Sequence, residues 1–158
     1  MPRALDEHDQ KFLDIIDEHG WHVTLVGGDD EGPGFAYSAG IFGLTGRPEL
    51  IVFGLPMEVG HSVVNEYGNR MRAGETLALG EFYDGFLEGH PVTFISVEDG
   101  DQIKQHATWA DWFYDRRPFP LLQLVYPDSR SGAFPWQAGY REEWRWHQPL
   151  LGSTSKRS

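Results

Sequence analysis

A strand and a helix adjoin in the segment Pro48-Glu49-Leu50-Ile51-Val52-Phe53-Gly54-Leu55-Pro56. Its run of β-branched and aromatic residues, bounded by Pro and Gly, predicts a strand from Glu49 to Leu55. Pro56 favours the first turn of a helix, because its missing N–H is not needed there. We therefore predict a helix from Pro56 to Ala73, in which Gly60 and Gly68 indicate close packing on a sheet. One apolar stripe runs along this helix, formed by Val59, Val63, Val64, Tyr67 and Met71.

Hydrophobic periodicity predicts the elements on either side of this segment. Phe12, Ile15, Ile16 and His19 recur at helical spacing and predict an amphipathic helix that Gly20 ends. The region around Tyr83 lacks a clear period, so we expect it to be irregular. The other predicted elements are strands over Trp21–Val26, Phe35–Ile41, Pro91–Val97 and Leu121–Tyr126, a helix over Asp101–Tyr114, and a final hairpin through Phe134-Pro135-Trp136.

The order of these elements matches neither a βαβ alternation nor a pure sandwich. It predicts an α+β fold in which a mixed, mainly antiparallel sheet, or a partly closed, split-barrel-like barrel, has about three helices packed outside. With no repeat or linker in the chain, we expect a single domain over residues 1–148. Residues 149–158 have little to bury, which predicts a flexible C-terminal tail.

Charge and composition exclude several classes of partner. The formal net charge is -11, from 24 acidic against 13 basic side chains, so phosphate-rich surfaces are repelled. We therefore expect no nucleic acid and no membrane as partner. The start of the chain lacks a signal-peptide pattern, and no apolar run approaches the ~18 residues of a membrane span. The chain has no cysteine, which suits a reducing compartment, and we expect a cytoplasmic protein.

Candidate cofactor-binding residues follow the glycines of the second predicted strand. Gly40 comes shortly after Tyr37 and Ser38, and glycines in such turns leave backbone amides unshielded, where a phosphate can bind. Tyr83 and Gln123 complete the predicted lining of a pocket. Gln123 lies in an otherwise apolar strand and needs a hydrogen-bond partner from protein or ligand if it is buried. The alternative is that the glycines serve turn geometry only.

Two residues are candidates for catalysis. Glu49 lies between Pro48 and an apolar strand, where a partly buried carboxylate can act as an acid or base. His61 lies in the first turns of the predicted helix, where an anion is favoured. The alternatives are structural pairing for Glu49 and a solvated surface position for His61.

A metal site is a further alternative that the histidines leave open. His19-x-x-His22 places one histidine at a helix end and one on a strand, so their side chains need not converge. A site built from His22, His61 and a carboxylate would still need three or four converging ligands. We therefore expect that no metal is bound.

Four segments of the chain carry a family resemblance: His19-Gly20-Trp21-His22-Val23, Gly32-Pro33-Gly34-Phe35-Ala36-Tyr37-Ser38, Pro48-Glu49-Leu50-Ile51-Val52-Phe53-Gly54-Leu55 and Pro120-Leu121-Leu122-Gln123-Leu124-Val125-Tyr126-Pro127-Asp128. Together they resemble a bacterial family known as domain of unknown function 4262. The likeness extends from about His19 to Trp136. It implies no established chemistry.

A second resemblance is topological and concerns the flavin-binding split barrels, such as flavin reductases and pyridoxamine-phosphate oxidases. The strand before the Pro-led strand in those proteins carries hydroxyls that help to hold the flavin phosphate, and Tyr37 and Ser38 occupy that place here. The resemblance implies FMN as a candidate cofactor and a homodimer as a candidate assembly. This chain departs from the pattern because Arg47 is the only basic residue nearby.

Two functions therefore stand against each other. The first is a pocket that binds a cofactor or small molecule, with flavin-type oxidoreductase activity as its most specific form. Its motivation is the split-barrel-like order and a surplus of aromatic residues suited to a flat ligand. The second is a non-enzymatic acidic module that binds or neutralises a basic protein partner, as the net charge suggests.

Overall fold

A curled, mixed sheet forms a half-open barrel at the centre of the molecule. The computed structural model describes residues 2–152, and within them the sheet has six strands in the order β1-β2-β3-β6-β5-β4. Neighbouring strands are antiparallel except β3 and β6, which are parallel. The predicted α+β class with a mainly antiparallel, partly closed sheet is confirmed. The strands are β1 (His22–Val26), β2 (Phe35–Ala39), β3 (Glu49–Phe53), β4 (Tyr83–Leu87), β5 (His90–Val97) and β6 (Leu121–Val125).

Six helices accompany the sheet in the described residues, where the sequence predicts about three. The predicted helix over Asp101–Tyr114 is two helices, because Ala107 has non-helical backbone angles, φ -90° and ψ 57°. Two further helices have five and four residues, too short for a periodic signal. The helices are α1 (Glu7–His19), α2 (Ile41–Thr45), α3 (Met57–Arg72), α4 (Gly100–His106), α5 (Thr108–Phe113) and α6 (Trp144–His147).

Local signals place the two long helices as predicted. Asp6 caps α1 by accepting a hydrogen bond from the Asp9 N–H, and Gly20 ends the helix at φ 101°. Pro56 precedes α3 as its N-cap. Gly68 packs closely, as predicted, because a Cβ there would lie 2.5 Å from the Trp21 ring.

Strand alternation divides the core between the two faces of the sheet. Leu50 and Val52 of β3 face α3, whereas Ile51 and Phe53 face the layer made by α1, α4 and α5. Strand β6 is buried at every residue, which fits its place between β3 and β5. No helix within residues 2–152 combines the length and the apolarity that a membrane crossing requires.

Two predictions of local structure are wrong. Tyr83 begins strand β4, an edge strand that pairs with β5, although the sequence predicts an irregular region there. The final hairpin is also wrong, since no strand follows β6 among the described residues. The chain after β6 is held instead by the buried Asp128, which accepts hydrogen bonds from Arg141 Nε and Nη2, both at 2.7 Å. That ion pair holds the Asp128 pKa well below its ordinary value.

The first residues of the predicted tail contact the sheet. Gln123 Nε2 donates to the Pro149 carbonyl at 2.7 Å, and the Leu151 N–H donates to Gln123 Oε1 at 2.8 Å. The remainder of the predicted tail, residues 153–158, lies outside the described residues.

Candidate functional site

Glu49, a predicted catalytic residue, is fully buried at the start of β3. Its carboxylate accepts hydrogen bonds from Ser38 Oγ at 2.6 Å and from the Gly40 N–H at 2.9 Å. The N–H groups of Ile41 and Phe42 and the hydroxyl of Tyr114 donate to it as well. We refer to this group, Ser38, Gly40, Ile41, Phe42, Glu49 and Tyr114, as the Glu49 anchor.

The Glu49 anchor fastens the first turn of α2 to the sheet. A carboxylate at this point satisfies N–H groups that have no partner within the helix. Burial and the neighbouring Glu49 carboxylate raise the pKa of Tyr114 above its ordinary value, so its hydroxyl remains a donor. With five donors around it and no exposed surface, the carboxylate has no vacant position for a substrate.

Three of the predicted cofactor-binding residues form hydrogen bonds within the protein. The Tyr37 hydroxyl accepts from the Trp109 N–H at 2.9 Å on the face that α5 covers. The Tyr83 hydroxyl accepts from the Ala78 N–H at 2.7 Å at the edge of the sheet. Gln123 uses both ends of its amide on the backbone of residues 149 and 151. The structure therefore brings Ser38, Gly40 and Glu49 together and leaves Tyr37, Tyr83 and Gln123 apart from them.

The position that the split-barrel resemblance assigns to a flavin phosphate does not fit that group. Tyr37 and Ser38 are fully buried, and both hydroxyls already have protein partners. Arg47, the basic residue nearby, donates from Nη1 to the Glu75 carbonyl at 2.9 Å. A phosphate at this position would have to displace these contacts.

His61, the second predicted catalytic residue, lies in an open polar cleft between α1, β1 and α3. The cleft has a volume of about 530 Å³. We refer to it as the histidine cleft. Its lining includes Trp21, His22, His61, Asn65, Asn69 and Arg72. His19 borders it too. His19 and His22, whose side chains need not converge according to the sequence, therefore line one cleft.

One wall of the histidine cleft is the Trp21 ring. Its Nε1–H donates to Asn65 Oδ1 at 2.9 Å, and the Arg72 guanidinium carbon lies 4.5 Å from the ring centroid. Gly68 allows the ring to lie against α3. Arg72 also donates to the His19 carbonyl at 3.1 Å and to Asn69 Oδ1 at 3.2 Å, so its planar guanidinium is held in one orientation.

This wall determines which nitrogen of His61 carries its proton. An indole N–H is only a donor, so Asn65 must present Oδ1 to Trp21 and its amide Nδ2 to His61. Asn65 Nδ2 lies 3.2 Å from His61 Nδ1, which therefore accepts. In neutral His61 the proton is on Nε2, and the exposed ring offers an N–H donor.

His22 adds a second, more buried imidazole. Burial, and then the nearby His61, lower its pKa below 6.5, so His22 is neutral at pH 7. Its ring lies 4.5 Å from that of Phe12, and Nδ1 is 3.1 Å from Thr24 Oγ1. A neutral histidine beside a donor histidine can hold or accept a proton from a bound molecule.

The histidine cleft has an unusual charge for this chain. Of the 24 acidic side chains in the sequence, none that the structure describes lines the cleft, whereas Arg72 and three histidines do. Within residues 2–152 there is also no group of three side chains able to hold a metal ion. The arrangement is suited to an anion rather than a cation.

Sequence reasoning missed Asn65, Asn69 and Arg72, although a signal for them was present. They follow His61 on α3 at intervals of four, four and three residues, which is the spacing of one helix face. That polar stripe lies beside the apolar stripe that predicted the helix. A search for polar as well as apolar periodicity would have found it.

The family model described as Domain of unknown function (DUF4262) matches residues 15–141. This is more than half of the chain, and the protein therefore belongs to that family. No curated protein and no solved structure matches the chain.

Proposed function

We propose that this protein binds a small anionic molecule, carrying a carboxylate or phosphate group, in the histidine cleft. One observation supports this most. The protein has a net charge of -11, yet no acidic side chain among residues 2–152 lines the cleft. Arg72 supplies a fixed positive charge with further N–H groups, and the Nε2–H of His61 supplies another donor. The volume of about 530 Å³ is in the usual range for small-molecule sites.

The residues of the cleft suit acid–base chemistry as well as binding. His61 can donate a hydrogen bond to a ligand oxygen, and neutral His22 can take a proton from the ligand. Flavin-type oxidoreductase activity is the most specific form of the proposal. For FMN the phosphate would have to bind at Arg72, because the residues around Tyr37 and Ser38 do not fit it.

A titration followed by NMR tests the proposal. Protein labelled with nitrogen-15 is titrated with inorganic phosphate, acetate and FMN at constant pH and ionic strength. We expect saturable shifts of the Trp21 indole N–H and the Asn65 side-chain amide, because both lie in the wall of the cleft. FMN is also followed by its visible absorption.

Arg70→Gln is the matched control for Arg72→Gln. Both arginines are on α3, both donate to a backbone carbonyl, and both lie over an aromatic ring, but Arg70 is outside the cleft. We expect Arg72→Gln to weaken anion binding at least tenfold, about 1.4 kcal/mol, and Arg70→Gln to leave it unchanged. Equal binding by the two variants, or no saturable shift with any probe, would refute the proposal.

An acidic module that binds a basic protein is the second candidate, and the net charge of -11 favours it. It predicts a complex that dissociates as salt is raised. The histidine cleft opposes it as a sole function, because the Arg72 charge in its lining repels a basic partner. The cleft is built within one chain, so neither candidate requires a homodimer.

A further inference from the structure

A second cavity lies where α4 and α5 meet the end of β5 and the start of β6. Its volume is about 490 Å³. Val97, Phe119 and Leu121 are buried at its floor, and the half-buried Ile103 of α4 extends that floor. We refer to these residues, with the rim of Lys104, Arg116 and Arg117, as the α4–α5 pocket. It differs from the histidine cleft in having a largely apolar interior.

Positive charge is concentrated on the rim of this apolar interior. Lys104, Arg116 and Arg117 are three of only 13 basic residues in the sequence. Arg116 is occupied, because its Nη1 lies 2.6 Å from Oδ2 of the buried Asp111. Among residues 2–152, Lys104 and Arg117 form no ion pair, and both are exposed.

Within residues 2–152, no carboxylate at the pocket is paired with these two cations. Asp111 is neutralised by Arg116, and its side chain is only 6% exposed. Glu98 is the other carboxylate that lines the pocket, and it has an interaction of its own. Among the described residues, the apolar surface therefore has two cations beside it and no carboxylate paired with either.

The turn after α5 holds one of these cations at the pocket. Asp115 and Arg116 both have left-handed backbone angles, φ 56° and φ 64°, which non-glycine residues seldom adopt. The Arg116 N–H donates to the Asp111 carbonyl at 2.9 Å, and the Arg117 N–H donates to the Tyr114 carbonyl at 3.0 Å. These two hydrogen bonds fix the turn that carries Arg117, which lines the pocket.

We propose that the α4–α5 pocket binds a small carboxylate with an apolar body, such as a medium-chain fatty acid. The hydrocarbon lies on Val97, Ile103, Phe119 and Leu121, where it is removed from water. The carboxylate lies between Lys104 and Arg117. This site is independent of the histidine cleft, with which it shares no lining residue.

Octanoate and octanamide are a matched pair of probes, since they share one hydrocarbon chain and differ in charge. Each is titrated into the labelled protein below its critical micelle concentration, and the shifted amides are mapped on the chain. We expect octanoate to shift residues of α4, the turn after α5 and the start of β6. We expect it to bind at least tenfold more tightly than octanamide, with affinity that falls as salt is raised.

The double substitution Lys104→Gln and Arg117→Gln separates charge from fold. Both residues are exposed, and we expect the variant to keep its octanamide affinity while its preference for octanoate falls below about twofold. Lys11→Gln with Arg130→Gln removes the same charge elsewhere and should leave the preference intact. Equal binding of the two probes by the native protein overturns the proposal, as does octanoate binding that the double variant retains. Binding that appears only after removal of residues 153–158 overturns it as well, because the pocket would then belong to the chain's own end.

Discussion

The Glu49 anchor and the histidine cleft each contain one residue predicted to be catalytic, and they use it in opposite ways. Glu49 is fully buried, and five donors from the protein surround its carboxylate. His61 is exposed, and Asn65 holds only its Nδ1, so its Nε2–H faces outward. A polar group whose hydrogen bonds are all made within the protein stabilises the fold. A polar group that keeps a free hydrogen-bond donor beside a cleft can bind a ligand.

The difference also concerns charge. The Glu49 anchor gathers N–H and O–H dipoles around a negative charge that belongs to the protein. The histidine cleft gathers donors and the Arg72 charge around a space without a carboxylate from the described residues. The first arrangement contains its own anion, and we propose that an anion from outside completes the second.

The largest expected effect is that of Glu49→Gln on stability. The substituted amide carries two N–H donors, which would face the N–H groups of Gly40 and Phe42, and the charge that binds all five donors is lost. We expect the free energy of unfolding to fall by about 3 kcal/mol or more. Urea denaturation measures it.

Tyr114→Phe is the graded control, because it removes only one of the five donors. The variant should lose about 1.5–3 kcal/mol of stability, because the missing hydrogen bond ends on a charged carboxylate. If Glu49→Gln instead lowers the free energy of unfolding by less than Tyr114→Phe does, Glu49 does not hold the anchor together. It is then again a candidate catalytic residue.

A smaller loss is expected from Gly68→Ala, which tests whether the wall of the cleft is rigid. A Cβ at this position would lie 2.5 Å from the Trp21 ring. We expect a loss of about 1–3 kcal/mol from overpacking, less the gain of up to about 1 kcal/mol in helix propensity. Gly100→Ala is the control, since a Cβ at that position would meet open space, and it should not destabilise. A Gly68→Ala variant of unchanged stability, with an unshifted NMR signal of the Trp21 indole N–H, would show that this wall of the cleft is not rigid.

His61→Ala tests the difference between the Glu49 anchor and the histidine cleft, because it should weaken ligand binding without affecting stability. The side chain is exposed, so the free energy of unfolding should change by less than about 0.5 kcal/mol. Phosphate affinity should nevertheless fall by about threefold to tenfold, because a donor is lost. His8→Ala is the matched control, because His8 is also exposed near the start of a helix but lies outside the cleft. An unchanged affinity in His61→Ala would remove His61 from the proposed site.

The smallest effect concerns pH and His22. Burial, followed by His61, lowers the pKa of His22 in the folded state below the 6.5 that applies when it is unfolded. The unfolded chain therefore binds this proton first, and the stabilising contribution of neutral His22 is lost as pH falls below about 6.5. The imidazole signals of His22 should titrate at lower pH than 6.5. A His22→Gln variant should lose less stability than the native protein between pH 7 and pH 5.

The periodic elements were predictable from the sequence because their signals are local. Helix α3 follows from Pro56 and the apolar stripe of Val63, Val64, Tyr67 and Met71, and strand β3 follows from its β-branched run. Strand β4 was missed because its sequence, Tyr83-Asp84-Gly85-Phe86-Leu87, contains a glycine and does not alternate apolar with polar residues. Helix α2 was missed because five residues are too few to show a helical period.

The candidate site was predictable only in part, for a similar reason. Glu49 and His61 were both recognised as polar residues next to apolar elements, but their exposure depends on what packs around them. The five donors of Glu49 come from β2, α2 and the residue after α5, as far as 65 positions away in the chain. No local pattern records such a convergence.

By itself, the sequence determined the α+β class, the two long helices with their caps, the strong negative charge and the membership of its family. Only the tertiary structure decided that Glu49 is enclosed, that Gln123 is satisfied by the backbone, and that His22, His61 and Arg72 share one cleft. The physical reason is that helix and strand patterns reflect interactions over a few residues. Burial, hydrogen-bond satisfaction and the charge of a cleft depend instead on contacts between different elements of the fold, as between Trp21 and Asn65, which are 44 residues apart.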